Sequence, residues 1–113
     1  MINDSDVRVE KDYLRVTTAP FRDVKVGVVT AFFRGITDGG LASELDSVGI
    51  PTEGAPNTIL AEFLATLDYT FGWTMAIWKQ RLAEIGGFEA LVNHHSDDFM
   101  LGNEISHRGY RVE

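Results

Sequence analysis

Apolar positions alternate with charged ones twice near the N-terminus: Val7 and Val9, then Leu14 and Val16, on either side of Glu10-Lys11-Asp12. Alternation with a period of two marks short half-buried strands, and here it predicts a hairpin. From Phe21 to Ile36 two periods fit the same residues. In a helix, Thr18 caps the first free N–H groups, Pro20 sits where its missing N–H costs little, and Asp23 faces the positive end. Val24, Val28, Phe32 and Ile36 then share a stripe, with Phe21, Val29 and Phe33 beside it. In a strand, Val24, Val26 and Val28 alternate with Lys25 and Gly27, and the β-branched density favours extension. The helix is preferred and the strand stays open as the alternative. Asp38-Gly39-Gly40 ends the element in either case, because paired glycines supply the backbone conformations of a tight turn.

Further along, Leu41, Leu45 and Val48 lie on one side of two helical turns that stop at Gly49-Ile50-Pro51. Residues 49–56 are the most loop-like stretch, and 1–6 read as a flexible terminus. Leu60, Leu64, Leu67, Phe71, Trp78, Leu82 and Ile85 recur at spacings of three and four or their sum, after Asn57 as an N-cap and before Gly86-Gly87 as a stop. The spacing predicts one long helix over 57–85. Phe88 to His95 reads as a short helix with Phe88, Leu91 and Val92 inward, broken by Ser96-Asp97-Asp98. Alternation returns around Ile105, Tyr110 and Val112 as a C-terminal strand. These elements predict an α+β fold: a small antiparallel sheet from the N-terminal hairpin and the C-terminal strand, packed with helices. The 113 residues make a single domain, 1–113.

Composition narrows the function classes. Hydrophobic residues make up 44% and charged residues 24%, which is globular rather than disordered. The net charge of −7 has the wrong sign for holding a phosphate backbone, so no nucleic-acid partner is expected. No cysteine is present, which removes thiolate chemistry, zinc ribbons and disulfides. The acidic first dozen residues lack a signal-peptide core, and Glu62 and Asp68 interrupt the one apolar stretch long enough to invite a bilayer span. A cytoplasmic protein with no membrane partner is the expectation.

Four groups of residues carry candidate sites. On the long helix, the small residues Ala61, Ala65, Gly72 and Ala76, with Asp68, Tyr69, Trp73 and Trp78 around them, would leave a surface too apolar for 113 residues to cover. Self-association through that helix is the inference, and ordinary packing within the chain is the competing one. The mid-helix Asp68, if buried, needs a partner such as Arg15, Arg22 or Arg34. Residues 35–78 hold six acids and no base, so Asp38, Glu44, Asp46 and Glu53 would form an acidic edge suited to a basic protein partner.

The third group is His94-His95-Ser96-Asp97-Asp98 with His107, whose best ligand set for a divalent cation is His95, Asp98 and His107. Adjacent helical histidines diverge by about 100°, and Ser96-Asp97-Asp98 is equally good turn chemistry, so the turn reading is preferred. The fourth is an aromatic pocket from Phe32, Phe33, Phe71, Trp73 and Trp78.

No nucleotide-binding or hydrolase signature occurs and no cofactor is implied. The expectation is therefore a non-catalytic acidic interaction protein, an assembly component, accessory subunit or inhibitor, with viral structural or counter-defence proteins among the classes it fits. A small metal-dependent hydrolase and a small-ligand binder are the alternatives.

Overall fold

Three valines in five residues make Val26–Thr30 a strand, β2, and both of its faces are buried. The computed structural model describes residues 1–32, 67–92 and 95–113. Met1–Ala31 together with Leu67–Glu113 form one compact unit. Within it four strands make a mixed sheet in the order β1-β3-β2-β4, with β1 at Ile2–Asn3, β3 at Thr74–Ile77 and β4 at Arg111–Val112. β3 runs antiparallel to both β1 and β2, while β4 lies parallel to β2. Three helices accompany the sheet among the described residues: α1 at Tyr13–Thr18, α2 at Lys79–Glu84 and α3 at Asp97–His107.

The fold is α+β, as the sequence indicates, with several elements of other kinds than expected. The preferred helix from Phe21 is a short 3-10 turn, Ala19–Arg22, followed by β2. A strand covered on both faces reads as a continuous apolar run, so its alternation was masked and a helical stripe could be drawn through it. The same cause defeats the long helix over its described half. Thr74–Ile77 is β3, and only Lys79–Glu84 is helical before the Gly86-Gly87 stop. β-branched and aromatic residues crowd Tyr69 to Thr74 around Gly72, a composition that favours extension over a helix interior. The stop itself is as expected: Gly86 and Gly87 have φ of 98° and 74°, and their N–H groups bond to the Ala83 and Leu82 carbonyls. The half over 57–66, like the short helix over 41–48, lies outside the described residues.

The N-terminal hairpin is absent. Leu14 and Val16 sit on α1 and are exposed, whereas Thr17 is the buried residue of that helix and Tyr13 is half-buried. Apolar periodicity could not reveal a helix that turns Tyr and Thr inward. Its anchor is polar: the Tyr13 hydroxyl donates to Thr74 Oγ1 at 3.1 Å and accepts from Asn3 Nδ2 at 2.5 Å. β1 therefore falls within the segment 1–6 read above as a flexible terminus. Phe88–Ala90 is a 3-10 turn from which Leu91 is buried but Phe88 and Val92 are exposed. Ile105 belongs to α3, and the C-terminal strand pairs with β2.

Two clusters fill the core. On one side of the sheet Val28, Met75 and Val112 meet Leu101 and Ile105 of α3, together with Leu67, Ile85 and Leu91. On the other, Val26, Val29 and Ala76 pack with Phe21. Val26 and Val28 fall in different clusters because the pairing with β4 shifts between them, two residues of β2 meeting one of β4.

Gly27 sits under α3. A Cβ there would lie 2.5 Å from Ile105 Cγ2 and 2.6 Å from Tyr110 Cβ, distances that force the helix away. Gly27→Ala is expected to cost about 1–3 kcal/mol by overpacking, read as a lowered midpoint in chemical denaturation with an unchanged slope.

Candidate functional site

Leu67 to Trp73 is an irregular segment leading into β3, and it carries aromatic rings in series. Phe71 and Trp73 stack with centroids 5.3 Å apart and planes 9° apart. Tyr69 meets Phe71 edge-on at 5.3 Å and stacks on Phe99 of α3 at 5.9 Å. The ring contacts join Tyr69, Phe71 and Trp73 into one aromatic row. Phe99 is 45% exposed at its end.

Thr30, at the end of β2, clamps this segment. Its hydroxyl accepts the Phe71 N–H at 2.9 Å and lies 3.2 Å from the carbonyls of Phe71 and Thr74, to either of which it can donate. The second fixture is Thr70, buried between the sheet and α3.

α3 carries two carboxylates in its first turn, where free N–H groups favour anions. Asp97 Oδ1 accepts the Asp98 N–H at 2.9 Å, and Asp98 Oδ1 accepts the Phe99 N–H at 2.8 Å. Ser96 makes no side-chain cap, so these acids do the capping. The two differ in what they face. Asp97 lines a small apolar pocket of about 130 Å³ with Ile2, Met75, Phe88 and Leu101. Asp98 is half-buried and turns Oδ2 toward Gly72, where a Cβ would stand only 3.2 Å from it.

The expected sites are redistributed accordingly. Asp68, Tyr69, Gly72, Trp73, Ala76 and Trp78 do not share a helix, so the proposed helical seam has no basis among the described residues; Ala61 and Ala65 lie outside them. Asp68 is exposed and Ala76 is buried in the sheet. Trp73 and Trp78 bracket β3, roughly 16 Å apart along the strand, so they cannot line one pocket. Trp78 packs on Phe21, ring centroids 5.2 Å apart, beside a groove of about 380 Å³ that Arg22 and Ile77 also line. Phe32 is exposed, and Phe33 is outside the described residues, as are Asp38, Glu44, Asp46 and Glu53. His107 ends the helix whose first turn carries Asp98, about 13 Å away along its axis, which separates two of the three cation ligands. Among the described residues no three His, Cys, Asp or Glu side chains gather as a metal site would require.

A family model described as glycosyl transferase family 21 matches residues 1–113. The chain belongs to that family. No curated protein and no solved structure gives a significant match. Membership in glycosyl transferase family 21 overturns the expectation of a non-catalytic interaction, assembly or viral protein, and with it the hydrolase and ligand-binder alternatives. Those expectations rested on the apolar surface of a long helix that Thr74–Ile77 does not form, on the 94–107 His/Asp cluster, and on the absence of nucleotide-binding and hydrolase signatures. No helix among the described residues is long and apolar enough to cross a membrane.

The sequence alone placed Asp98 in a turn after a helix or, as the alternative, among metal ligands, and it left Phe99 and Thr70 out. The available signal was an Asp pair immediately before Leu101 and Ile105 at helical spacing, which marks a helix start rather than a break. Replacing the clamp, Thr30→Val, is expected to remove its hydrogen bonds to the Phe71 N–H and to the Phe71 and Thr74 carbonyls and cost about 1–3 kcal/mol by thermal denaturation. Thr30→Ser, which keeps the hydroxyl, is expected to lose less than half as much.

Proposed function

We propose that the chain transfers a sugar from a phosphate-activated donor to an acceptor hydroxyl, with Asp98 as the general base. In this reaction the acceptor oxygen attacks the anomeric carbon of the donor and forms the new glycosidic bond. The bond from that carbon to the phosphate oxygen breaks, and its electron pair leaves with the phosphate. The hydroxyl proton passes to the Asp98 carboxylate.

The observation that carries the assignment is the asymmetry of the Asp98 carboxylate. Oδ1 is held by the Phe99 N–H, while Oδ2 faces the side-chain-free Gly72 beside the aromatic row. One oxygen fixes the group and the other is placed to take a proton, the arrangement a general base needs. Asp97 faces the apolar pocket instead, and Asp68 is exposed on the segment ahead of the row. The ring of Phe99 supplies apolar surface of the kind that lines ligand sites, next to the carboxylate.

The test is turnover of the purified protein with a panel of nucleoside diphosphate sugars and hydroxyl acceptors, followed by release of the nucleoside diphosphate. Asp98→Asn is expected to lower kcat by about 10²–10⁴-fold, the range for loss of a positioned base. Asp97→Asn is expected to stay within about tenfold of wild type. Equal losses in the two variants would remove Asp98 from the role.

A further inference from the structure

We infer that Thr70 is a positioning residue for Asp98, acting through the main chain of α3; the inference rests on the reading of Asp98 as the base. Thr70 is 2% exposed and lies on the segment below the aromatic row. Its hydroxyl donates to the Asp98 carbonyl at 2.5 Å, with Met75 Sδ a more distant neighbour at 3.2 Å. A hydroxyl has one proton, and the shorter contact to the better acceptor takes it. The hydrogen bond therefore ties the residue carrying the carboxylate directly to the segment that the carboxylate faces.

Gly102, one turn further along α3, makes that tie short. A Cβ on Gly102 would stand 2.5 Å from the Thr70 nitrogen and 2.5 Å from the Tyr69 carbonyl carbon. The helix rests on the backbone of 69–70 with no side chain between them. In an α-helix the Asp98 carbonyl also accepts the Gly102 N–H, so one turn of α3 is bound at both ends to Thr70: by hydrogen bond at Asp98 and by contact at Gly102. First turns of helices fray readily because their N–H groups lack helical partners. Thr70 pins this one from outside, and the direction of the Asp98 side chain toward Gly72 follows from where its main chain is held. A displacement of about 1 Å at a reacting group can cost on the order of 10²-fold in rate.

The role predicts a specific pattern in Thr70→Val, which keeps the shape and removes the donor. kcat is expected to fall at least tenfold with KM within twofold of wild type. Amide hydrogen exchange of Phe99, whose N–H is held by Asp98 Oδ1, is expected to quicken at least tenfold by NMR. Thr70→Ser is expected to restore both. Where Thr70→Val does not fold, Thr70→Ala carries the same measurements. Wild-type kcat and Phe99 exchange in folded Thr70→Val, beside an inactive Asp98→Asn, would overturn the inference alone. Wild-type turnover in Asp98→Asn would overturn the assignment of the base, and this inference with it.

Discussion

α3 lies closer to the rest of the fold than a helix with side chains at every contact could. Gly27 of β2 leaves room for Ile105, and Gly102 of α3 leaves room for the Tyr69 and Thr70 backbone. Both contacts would bring an added Cβ within 2.6 Å of a neighbour, so neither tolerates displacement without moving the helix. Packed interiors have little slack to absorb such a shift. The remainder of the described fold depends on this seating. Leu101 and Ile105, 1% and 0% exposed, reach the sheet core only at this distance, and the chain turns at Gly109 to send β4 back alongside β2.

The seating also decides where chemistry is placed. The first turn of α3 ends beside the aromatic row, and Asp98 is set against Gly72 by the same contact that buries Thr70. The proposed chemistry needs the Asp98 carboxylate at a fixed position. In this chain that position is maintained by one hydroxyl, two glycines and a capping N–H, groups that serve the fold and the site together. The electrostatic setting is simple: an acid at a helix N-terminus, half-buried, with one oxygen occupied.

The fold class was legible because the chain mixes β-branched runs with helical spacing, and the glycine stop after Ile85 was legible because positive φ has few other solutions. Element identity failed where burial on both faces removed the period. VGVVT and TMAI are too short and too uniformly apolar for spacing to distinguish strand from helix. α1 failed for the opposite reason, since its inward residues are Tyr13 and Thr17 while Leu14 and Val16 face solvent. The site was partly in view. Tyr69, Gly72, Trp73 and Asp98 were all singled out, but for three different reasons, because their common neighbourhood depends on a contact between segments some 30 residues apart. Sequence spacing carries no information about such a contact until the helix start at Asp97 is recognised.

The central claim is that Asp98 acts as the base from its position beside Gly72, and a double-mutant cycle tests it most directly. Gly72→Ala places a methyl group against Oδ2. Turnover is measured for the native chain, Gly72→Ala, Asp98→Asn and the double variant, with stability checked in each. The account predicts that Gly72→Ala lowers kcat several-fold when residue 98 is Asp and has no further effect on the residual turnover when it is Asn. Equal fold losses from Gly72→Ala in both backgrounds would contradict it, since the methyl group would then act on something other than the carboxylate.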